Sequence, residues 1–316
     1  MPTPTIKLSS GYDMPMLGLG TWQSAPGQVA KAVEMAVKAG YRLIDCAYLY
    51  ENQVEIGEAL KKLFATGVKR EDLFITSKVW NTFHSAAGCK KNVDEILKEL
   101  QLNYVDLMLI HWPHGYQEGD GLFPKKEGSD KTAYSDEDYL TTWKSLEECV
   151  KEGKIRSIGL ANFNHKQIER LLANCTIKPA LLQVECHPYF QQKKLRAFCN
   201  ERGIVVNAYS SLANPGSAYF RKEDDPNVLT DPVMKKIAEA HKKSTAQVAL
   251  RWAVQQNIIV IPKSTREQII RENADLFDFQ LIDGEMKAID GMDRGWRILH
   301  LDSDADHPLY PFSEEY

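Results

Sequence analysis

Short apolar runs rich in β-forming residues recur along the whole chain and alternate with helical patterns. Between two of these runs, apolar residues repeat at helical spacing from Val29 to Val37, and Gly40 follows as a helix stop. Eight strand-then-helix units without an internal change of composition predict an α/β fold, a single closed (β/α)8 TIM barrel over residues 1–316, rather than two open sheets. The runs lie at residues 17–21, 41–45, 73–77, 104–110, 155–160, 180–184, 204–208 and 258–261.

Three segments are too long for the loops of such a unit, namely residues 114–135, 210–230 and 294–316. Each follows a predicted strand or the final helix, and their Gly, Pro, Asp and Lys content is typical of irregular surface segments. Long loops on a compact barrel are usually functional lids or else variable decoration. We expect lids at the carboxyl-terminal face of the barrel, with 294–316 as a tail that sets substrate preference.

The charge balance and the cysteines exclude several classes of protein. The 316 residues carry 39 Lys and Arg against 43 Asp and Glu, a net charge of −4, which gives no strong field for nucleic acid or acidic membranes. The six cysteines include no C-x-x-C pair, so we expect reduced thiols and no metal site. No apolar run reaches the roughly 18 residues of a membrane span, and no signal-peptide pattern opens the chain. The sequence therefore predicts a cytoplasmic monomer.

Polar residues follow almost every predicted strand, at the barrel end where active sites of such folds lie. Taken singly, each has an ordinary explanation as a turn cap, a solvated charge or a hydrogen-bonded histidine. In chain order these residues are Trp22, Asp45, Tyr50, Lys78, His111, Asn162, Gln183, Glu185, Tyr209 and Lys263.

Taken together, four of these residues make sense as a proton-donating site. A Tyr hydroxyl becomes a useful acid near neutral pH when a buried ammonium lies beside it, and Lys78 would provide that charge for Tyr50. Asp45 would hold Lys78 in place and protonated, while His111 would orient the oxygen of the substrate. Trp22, Trp80, Trp112 and Phe123 follow strands on the same rim. They would wall a dry pocket, or else they are plain core aromatics.

A proton donor of this kind needs a source of hydride, and no side chain supplies one, so a nicotinamide cofactor completes the site. The G-x-G-x-x-G fingerprint is absent, because the stretch that begins at Gly18 ends in Gln23. Cofactor phosphate would instead meet Lys263 and Ser264, with Arg266 and Arg271 nearby at the start of a helix.

The stretch from Gly40 to Gly57, GYRLIDCAYLYENQVEIG, resembles the signature of the aldo-keto reductase superfamily. Further matches span nearly the whole chain, from Gly18-Leu19-Gly20-Thr21-Trp22 through Leu109-Ile110-His111-Trp112-Pro113 to Ile261-Pro262-Lys263-Ser264, and the nearest look-alikes are aldose and aldehyde reductases. The resemblance implies NADPH as cofactor and a catalytic tetrad at Asp45, Tyr50, Lys78 and His111. The cofactor contacts that we expect are Thr21, Trp22, Asn162, Gln183, Tyr209, Ser210, Leu212, Lys263, Ser264, Thr265, Arg266, Glu272 and Asn273. The expected substrate contacts are Trp22, Trp80, Trp112, Phe123, Trp296, Leu299 and Leu301.

Some positions depart from the family pattern. Ala161 stands where the family usually has Ser, which removes one hydrogen bond to the carboxamide. Ile269 stands where related reductases carry an Arg in the 2′-phosphate pocket, which leaves NADH as an alternative cofactor unless Arg266 or Arg271 substitutes. Gln23 and Gly216 replace a charged pair that clamps the cofactor in close relatives, so we expect a looser clamp and faster cofactor release.

The sequence therefore predicts an enzyme that reduces aldehydes, and some ketones, to alcohols, with Tyr50 as the general acid. The small carbonyl compound is its expected partner, and neither nucleic acid nor a membrane is expected. An alternative from another class is a cofactor-binding barrel without physiological turnover, either structural or redox-sensing. A barrel hydrolase with Asp45 and Glu185 as paired carboxylates ranks lower, because it leaves Lys78 and Tyr50 without a role.

Overall fold

The computed structural model describes residues 3–119, 121–217 and 220–316. Its strands are β1 (Thr5–Lys7), β2 (Asp13–Pro15), β3 (Gly18–Gly20), β4 (Leu43–Asp45), β5 (Phe74–Val79), β6 (Val105–Ile110), β7 (His114–Tyr116), β8 (Tyr134–Asp138), β9 (Ile155–Ala161), β10 (Leu181–Glu185), β11 (Val205–Tyr209) and β12 (Ile258–Val260). Its α-helices are α1 (Val29–Lys38), α2 (Gln53–Ala65), α3 (Ala86–Leu100), α4 (Tyr139–Lys151), α5 (His165–Leu172), α6 (Lys193–Glu201), α7 (Pro232–His241), α8 (Thr245–Gln255), α9 (Glu267–Ala274) and α10 (Asp283–Asp290).

Eight parallel strands form the central sheet, in the order β3-β4-β5-β6-β9-β10-β11-β12. A parallel bridge between Leu17 and Val260 joins its two ends, and the Gly20 amide donates to the carbonyl of Pro262 at 3.2 Å. Glycine is needed at this seam, because a Cβ on Gly20 would lie 2.6 Å from the carbonyl oxygen of Ile261. The predicted (β/α)8 barrel is confirmed.

The helices pack outside the barrel because each carries one buried apolar stripe. In α1, for example, Val29, Val33 and Val37 are all buried, as the spacing predicts. Side chains cap several helices: Asn164 begins α5 and Ser244 begins α8, each in a reciprocal capping box with the Gln three residues on. These caps fix where the chain leaves a strand end and enters a helix.

Three elements lie outside the predicted pattern. The hairpin of β1 and β2 precedes the barrel, and the Ser10 hydroxyl at its turn lies 2.7 Å from that of Ser157 in β9. Helix α10 follows α9. The segment 114–135 is not wholly irregular, because its ends pair as the antiparallel strands β7 and β8. Strands this short contain too few residues for a periodic pattern to stand out in the sequence.

The six cysteines are free thiols. Within the described ranges, no helix is both long enough and apolar enough to cross a bilayer. The same part of the chain contains no group of three or more His, Cys, Asp or Glu side chains that could hold a metal ion.

Candidate active site

The four residues of the predicted tetrad lie together at the carboxyl ends of three neighbouring strands. Asp45 is the last residue of β4, Lys78 lies near the end of β5, and His111 follows β6 directly. Tyr50 ends a short 3-10 turn, Tyr48–Tyr50, that follows β4. Parallel pairing of β4, β5 and β6 aligns these strand ends, so the positions follow from the sheet register.

Lys78 is the centre of the group and is almost fully buried, with 1% of its surface exposed. Its Nζ donates to Asp45 Oδ2 at 2.8 Å, to the carbonyl of Cys46 at 2.8 Å and to the Tyr50 hydroxyl oxygen at 3.3 Å. The ammonium therefore uses all three of its hydrogens, and one of them is directed to the phenol.

A chain of hydrogen bonds holds the far side of Asp45. The Gln183 amide donates to Asp45 Oδ1 at 2.8 Å and to Asn207 Oδ1 at 2.6 Å, and Asn207 donates to the carbonyl of Ile259 at 3.1 Å. Four strands of the barrel thus fix the orientation of one buried carboxylate. The Thr21 hydroxyl also donates to the Asp45 carbonyl at 2.7 Å.

The pKa of Tyr50 lies well above the usual value, because burial and the nearby Asp45 carboxylate both disfavour the phenolate. This direction is opposite to the one expected from the ammonium alone. Desolvation and the carboxylate outweigh the contact with Lys78, so the hydroxyl of the free protein is held firmly in its protonated form.

His111 is a neutral imidazole at neutral pH, since burial first and the Lys78 ammonium second hold its pKa well below the usual range. Its Nδ1 is buried and has no hydrogen-bond partner in the described part of the chain. The tautomer with hydrogen on Nε2 leaves only an unused lone pair at Nδ1, so we assign that tautomer. The ring lies edge-on to Tyr50, with centroids 6.0 Å apart.

One cleft of about 1600 Å³ opens above the tetrad. The residues expected to contact cofactor or substrate all line it, as do Asp45, Tyr50 and His111, while Lys78 lies beneath its floor. Trp80 and Trp112 are only 1% and 3% exposed, so each both packs in the interior and presents an edge to the cleft. Phe123 is 55% exposed at the rim, 5.4 Å from the Trp80 ring.

The far end of the cleft fits an anionic group. Lys263 and Arg266 line it, and neither forms an ion pair within the described ranges. Burial lowers the pKa of Lys263, and its Nζ donates to the carbonyl of Gln23 at 3.1 Å. Among the residues that the structure describes, no side chain caps the start of helix α9, and the buried Oδ1 of Asn273 has no hydrogen-bond partner. Cations, free amide hydrogens and an unused acceptor suit the phosphates and base of a dinucleotide.

Of the two arginines that could replace the missing Arg at Ile269, Arg266 lines the cleft and Arg271 does not. Arg271 is held by Glu267 one turn earlier, with Nη2 2.7 Å from the carboxylate, and it does not line the cleft. Ile269 itself does line the cleft. Arg266 therefore remains as the guanidinium beside Lys263.

Two expected carboxamide contacts already have protein partners. Asn162, in a left-handed conformation with φ of 61°, donates to the carbonyl of His111 at 3.1 Å and accepts from the Tyr209 hydroxyl at 2.8 Å. The donor of Gln183 is used by Asp45 and Asn207, which leaves its carbonyl oxygen for a ligand.

The sequence reasoning missed several residues that line the cleft. Phe220 stacks on Trp22 with centroids 5.3 Å apart, and the Arg297 guanidinium packs over the Phe312 ring at 3.6 Å. Leu49, one residue before Tyr50, also lines the cleft. Phe220 and Arg297 belong to long segments without periodic pattern, whereas the position of Leu49 beside Tyr50 was a usable signal.

Glu185 does not pair with Asp45 as the hydrolase alternative requires. Its buried carboxylate accepts from the backbone amides of Ile298 at 2.7 Å and Leu299 at 2.8 Å, and it lies 3.0 Å from Nε2 of His187. Asp45 is occupied by Lys78 and Gln183. The two carboxylates thus have separate structural partners.

Comparison with known proteins agrees with this geometry. The profile of the Aldo/keto reductase family matches residues 16–294. This chain belongs to that family. Aldo-keto reductase family 1 member A1 of Gallus gallus is 44% identical over 323 residues, 98% of each chain, and that of Homo sapiens is 44% identical over 328 residues, 100% of each. An aldose reductase structure from Schistosoma japonicum superposes with a TM-score of 0.93 at 43% identity, covering 99% of this chain and 100% of that one.

Membership of the aldo/keto reductase family supports an oxidoreductase that acts on small carbonyl compounds with a nicotinamide cofactor. The similarity spans both the barrel and the long segments at its carboxyl-terminal face, because it covers nearly the full length of each relative.

Proposed function

We propose that this protein reduces aldehydes, and some ketones, to alcohols with NADPH as the preferred cofactor, and that Tyr50 is the proton donor. The observation that carries the proposal is the buried Lys78 ammonium, which bonds Asp45 on one side and the Tyr50 hydroxyl on the other beneath a cleft of about 1600 Å³. The cofactor supplies the hydride that no side chain can provide.

The protein's own residues perform the proton transfer and the orientation. The Tyr50 hydroxyl stays protonated at rest because its pKa is raised, and an alkoxide is basic enough to take its hydrogen. As the proton leaves, negative charge forms on the phenol oxygen 3.3 Å from the Lys78 ammonium, which stabilises it. The Nε2 hydrogen of His111 donates to the carbonyl oxygen and so orients the substrate.

At the other end of the cleft, Lys263, Ser264 and Arg266 would hold the phosphate that distinguishes NADPH from NADH. Gln183 and Tyr209 would position the nicotinamide, and Glu272 with Asn273 would contact the base. A cytosolic location and a monomeric state stay predictions that belong to this proposal.

The test is the substitution Tyr50→Phe, with Tyr48→Phe as the matched control because Tyr48 lies two residues away and does not line the cleft. Turnover is measured as loss of reduced-cofactor absorbance after addition of an aromatic aldehyde, and cofactor affinity by fluorescence titration. We expect Tyr50→Phe to lower turnover by about 10²- to 10⁴-fold with unchanged cofactor affinity.

Loss of cofactor binding in Tyr50→Phe, or turnover as high as in Tyr48→Phe, would contradict the assigned role. A native protein that binds NADPH but reduces no carbonyl compound would support the alternative of a cofactor-binding barrel without turnover.

A further inference from the structure

The wall of the substrate end of the cleft is a separate apolar cluster and not part of the barrel core. Trp80, Trp112 and Tyr116 form its buried centre, and Leu299 and Leu301 of the tail pack against it. Trp80 and Trp112 follow β5 and β6, and the other main contributions come from two long segments, the hairpin of residues 114–138 and the tail of residues 294–316. Its shape therefore depends on how these two segments are joined.

A buried carboxylate joins them. Asp304 of the tail is 0% exposed, and its Oδ2 lies 2.7 Å from His114 Nε2 and accepts a hydrogen bond from the Tyr116 hydroxyl. Its Oδ1 accepts from the Thr132 hydroxyl at 3.3 Å and from the neighbouring Ser303 hydroxyl at 3.0 Å. Three of these four donors belong to the hairpin.

Asp304 is ionised at neutral pH, because hydrogen bonds from His114 and Tyr116 lower its pKa although burial acts in the opposite direction. An ionised carboxylate only accepts, so His114 carries its hydrogen on Nε2. Among the described residues, the buried Nδ1 of His114 has no hydrogen-bond partner. Burial first and the nearby His114 second lower the pKa of His84 to about 3 and that of His307 to about 4, so these two imidazoles are uncharged at neutral pH.

The rest of the tail is fixed elsewhere, so the effect of Asp304 is local. Glu185 binds the amides of Ile298 and Leu299, and Asn164 donates to the carbonyl of Pro311 at 3.0 Å. Between these anchors, Leu301 adopts a left-handed conformation with φ of 53°, which is strained for a leucine. Surrounding contacts must hold such a residue in place. The buried hydrogen bonds that Asp304 accepts from the hairpin, three residues later in the chain, provide such contacts.

We propose that Asp304 is a positioning residue that sets the substrate range of this enzyme, because its carboxylate joins the tail to the 114–138 hairpin and thereby fixes Leu301 and Trp112 at the cleft. The inference rests on the proposed carbonyl reduction. It leaves the chemistry to the tetrad, whose members are held by barrel strands and not by the tail.

The test compares Asp304→Ala and Asp304→Asn with Asp306→Asn. Asp306 is the control, since its exposed carboxylate also joins the two segments, at 2.8 Å from the Tyr134 hydroxyl. Asn at 304 can turn its oxygen to His114 and Tyr116 and its amide to the two hydroxyls, so it keeps the hydrogen bonds without the charge. Michaelis constants are measured for two aldehydes. Naphthaldehyde is large enough to contact the apolar wall of the cleft, whereas propanal is too small to reach it.

We expect Asp304→Ala to raise KM for naphthaldehyde roughly tenfold, as the fraction of molecules with an ordered wall falls to about a tenth. Cofactor affinity and kcat for propanal should change less than about threefold, Asp304→Asn should lie between Ala and native, and Asp306→Asn should match native. A similar rise in KM for both aldehydes, an equal effect of Asp306→Asn, or a parallel loss of cofactor binding would overturn the proposal.

Hydrogen exchange gives a readout that does not depend on activity. Amides of residues 300–308 should exchange faster in Asp304→Ala, while those of Ile298 and Leu299 stay protected by Glu185. Unchanged exchange at 300–308 would contradict the role of Asp304. A native protein that reduces neither aldehyde would contradict the proposed function, and the exchange experiment would still decide whether Asp304 joins the two segments.

Discussion

The substitution Lys78→Met tests the electrostatic core of the site. It removes an ammonium that is 1% exposed and keeps a side chain of similar length. Three hydrogen bonds disappear, to Asp45, Cys46 and Tyr50. The Asp45 carboxylate keeps the bond from Gln183 on its other oxygen, at 2.8 Å.

Removing one partner of a buried ion pair costs about 3–5 kcal/mol, because the other charge remains without compensation. Asp45 borders the cleft, where water can reach it, so we expect the lower end, about 3 kcal/mol. With the unfolding entropy of a chain of 316 residues, this corresponds to a fall of the melting temperature by about 5 °C. Calorimetry of the native protein and the variant measures it.

Activity and stability should separate in the double variant Lys78→Met with Asp45→Leu. Replacing both charges by apolar side chains removes the unpaired carboxylate, so most of the lost stability should return. Turnover should stay at the background of the single variant, since no ammonium is left to stabilise the phenolate of Tyr50. Turnover in Lys78→Met above about a tenth of native, or recovery of turnover together with stability, would refute the reasoning.

Further predictions concern the cofactor site and the pH dependence of stability. Arg266→Met should weaken NADPH binding roughly tenfold relative to NADH, whereas Arg271→Met, which removes an exposed helix ion pair, should not; equal effects in a fluorescence titration would contradict the assignment. Ala161→Ser should strengthen cofactor binding by about fivefold if the carboxamide lacks a hydrogen bond there, and an unchanged dissociation constant would exclude that contact. His84 takes up a proton only near pH 3 when folded but near about 6.5 when unfolded, so the free energy of unfolding should fall as pH drops through this window. Urea unfolding of His84→Asn should show a smaller loss between pH 7 and pH 5, and an identical loss would remove His84 as the cause.

The sequence contained the positions of the tetrad because parallel strands bring their ends together. Once the strand that ends at Asp45 and the strand before His111 are recognised, the parallel sheet predicts that the residues at their ends lie close together, although they are far apart in sequence. The direction of the Tyr50 pKa was not accessible in the same way. It depends on burial and on the Asp45 carboxylate as well as on Lys78, and the relative strength of these effects is a property of the folded site.

Residues of the long segments were harder to assign. Asp304 follows no strand and belongs to no periodic pattern, and its partner His114 lies 190 residues earlier. Phe220 and Trp22 are likewise far apart in sequence, and they stack at the cleft because loops from distant strands converge on one face of the barrel. The positions of the two arginines near Ile269 likewise depend on the folded loop, because Arg266 lines the cleft whereas Arg271 does not and pairs with Glu267.

The tetrad and the wall of the substrate cleft are held by different hydrogen-bond networks, so we expect them to tolerate substitutions to different degrees. Asp45 is held through Gln183 and Asn207 to Ile259, so any shift of the carboxylate must move several barrel strands together. The wall of the substrate cleft is held to the hairpin through Asp304 on an apolar cluster of its own. Because the two networks share none of these hydrogen bonds, we expect substitutions in residues 300–308 to alter which carbonyl compounds are accepted without changing the geometry of the tetrad.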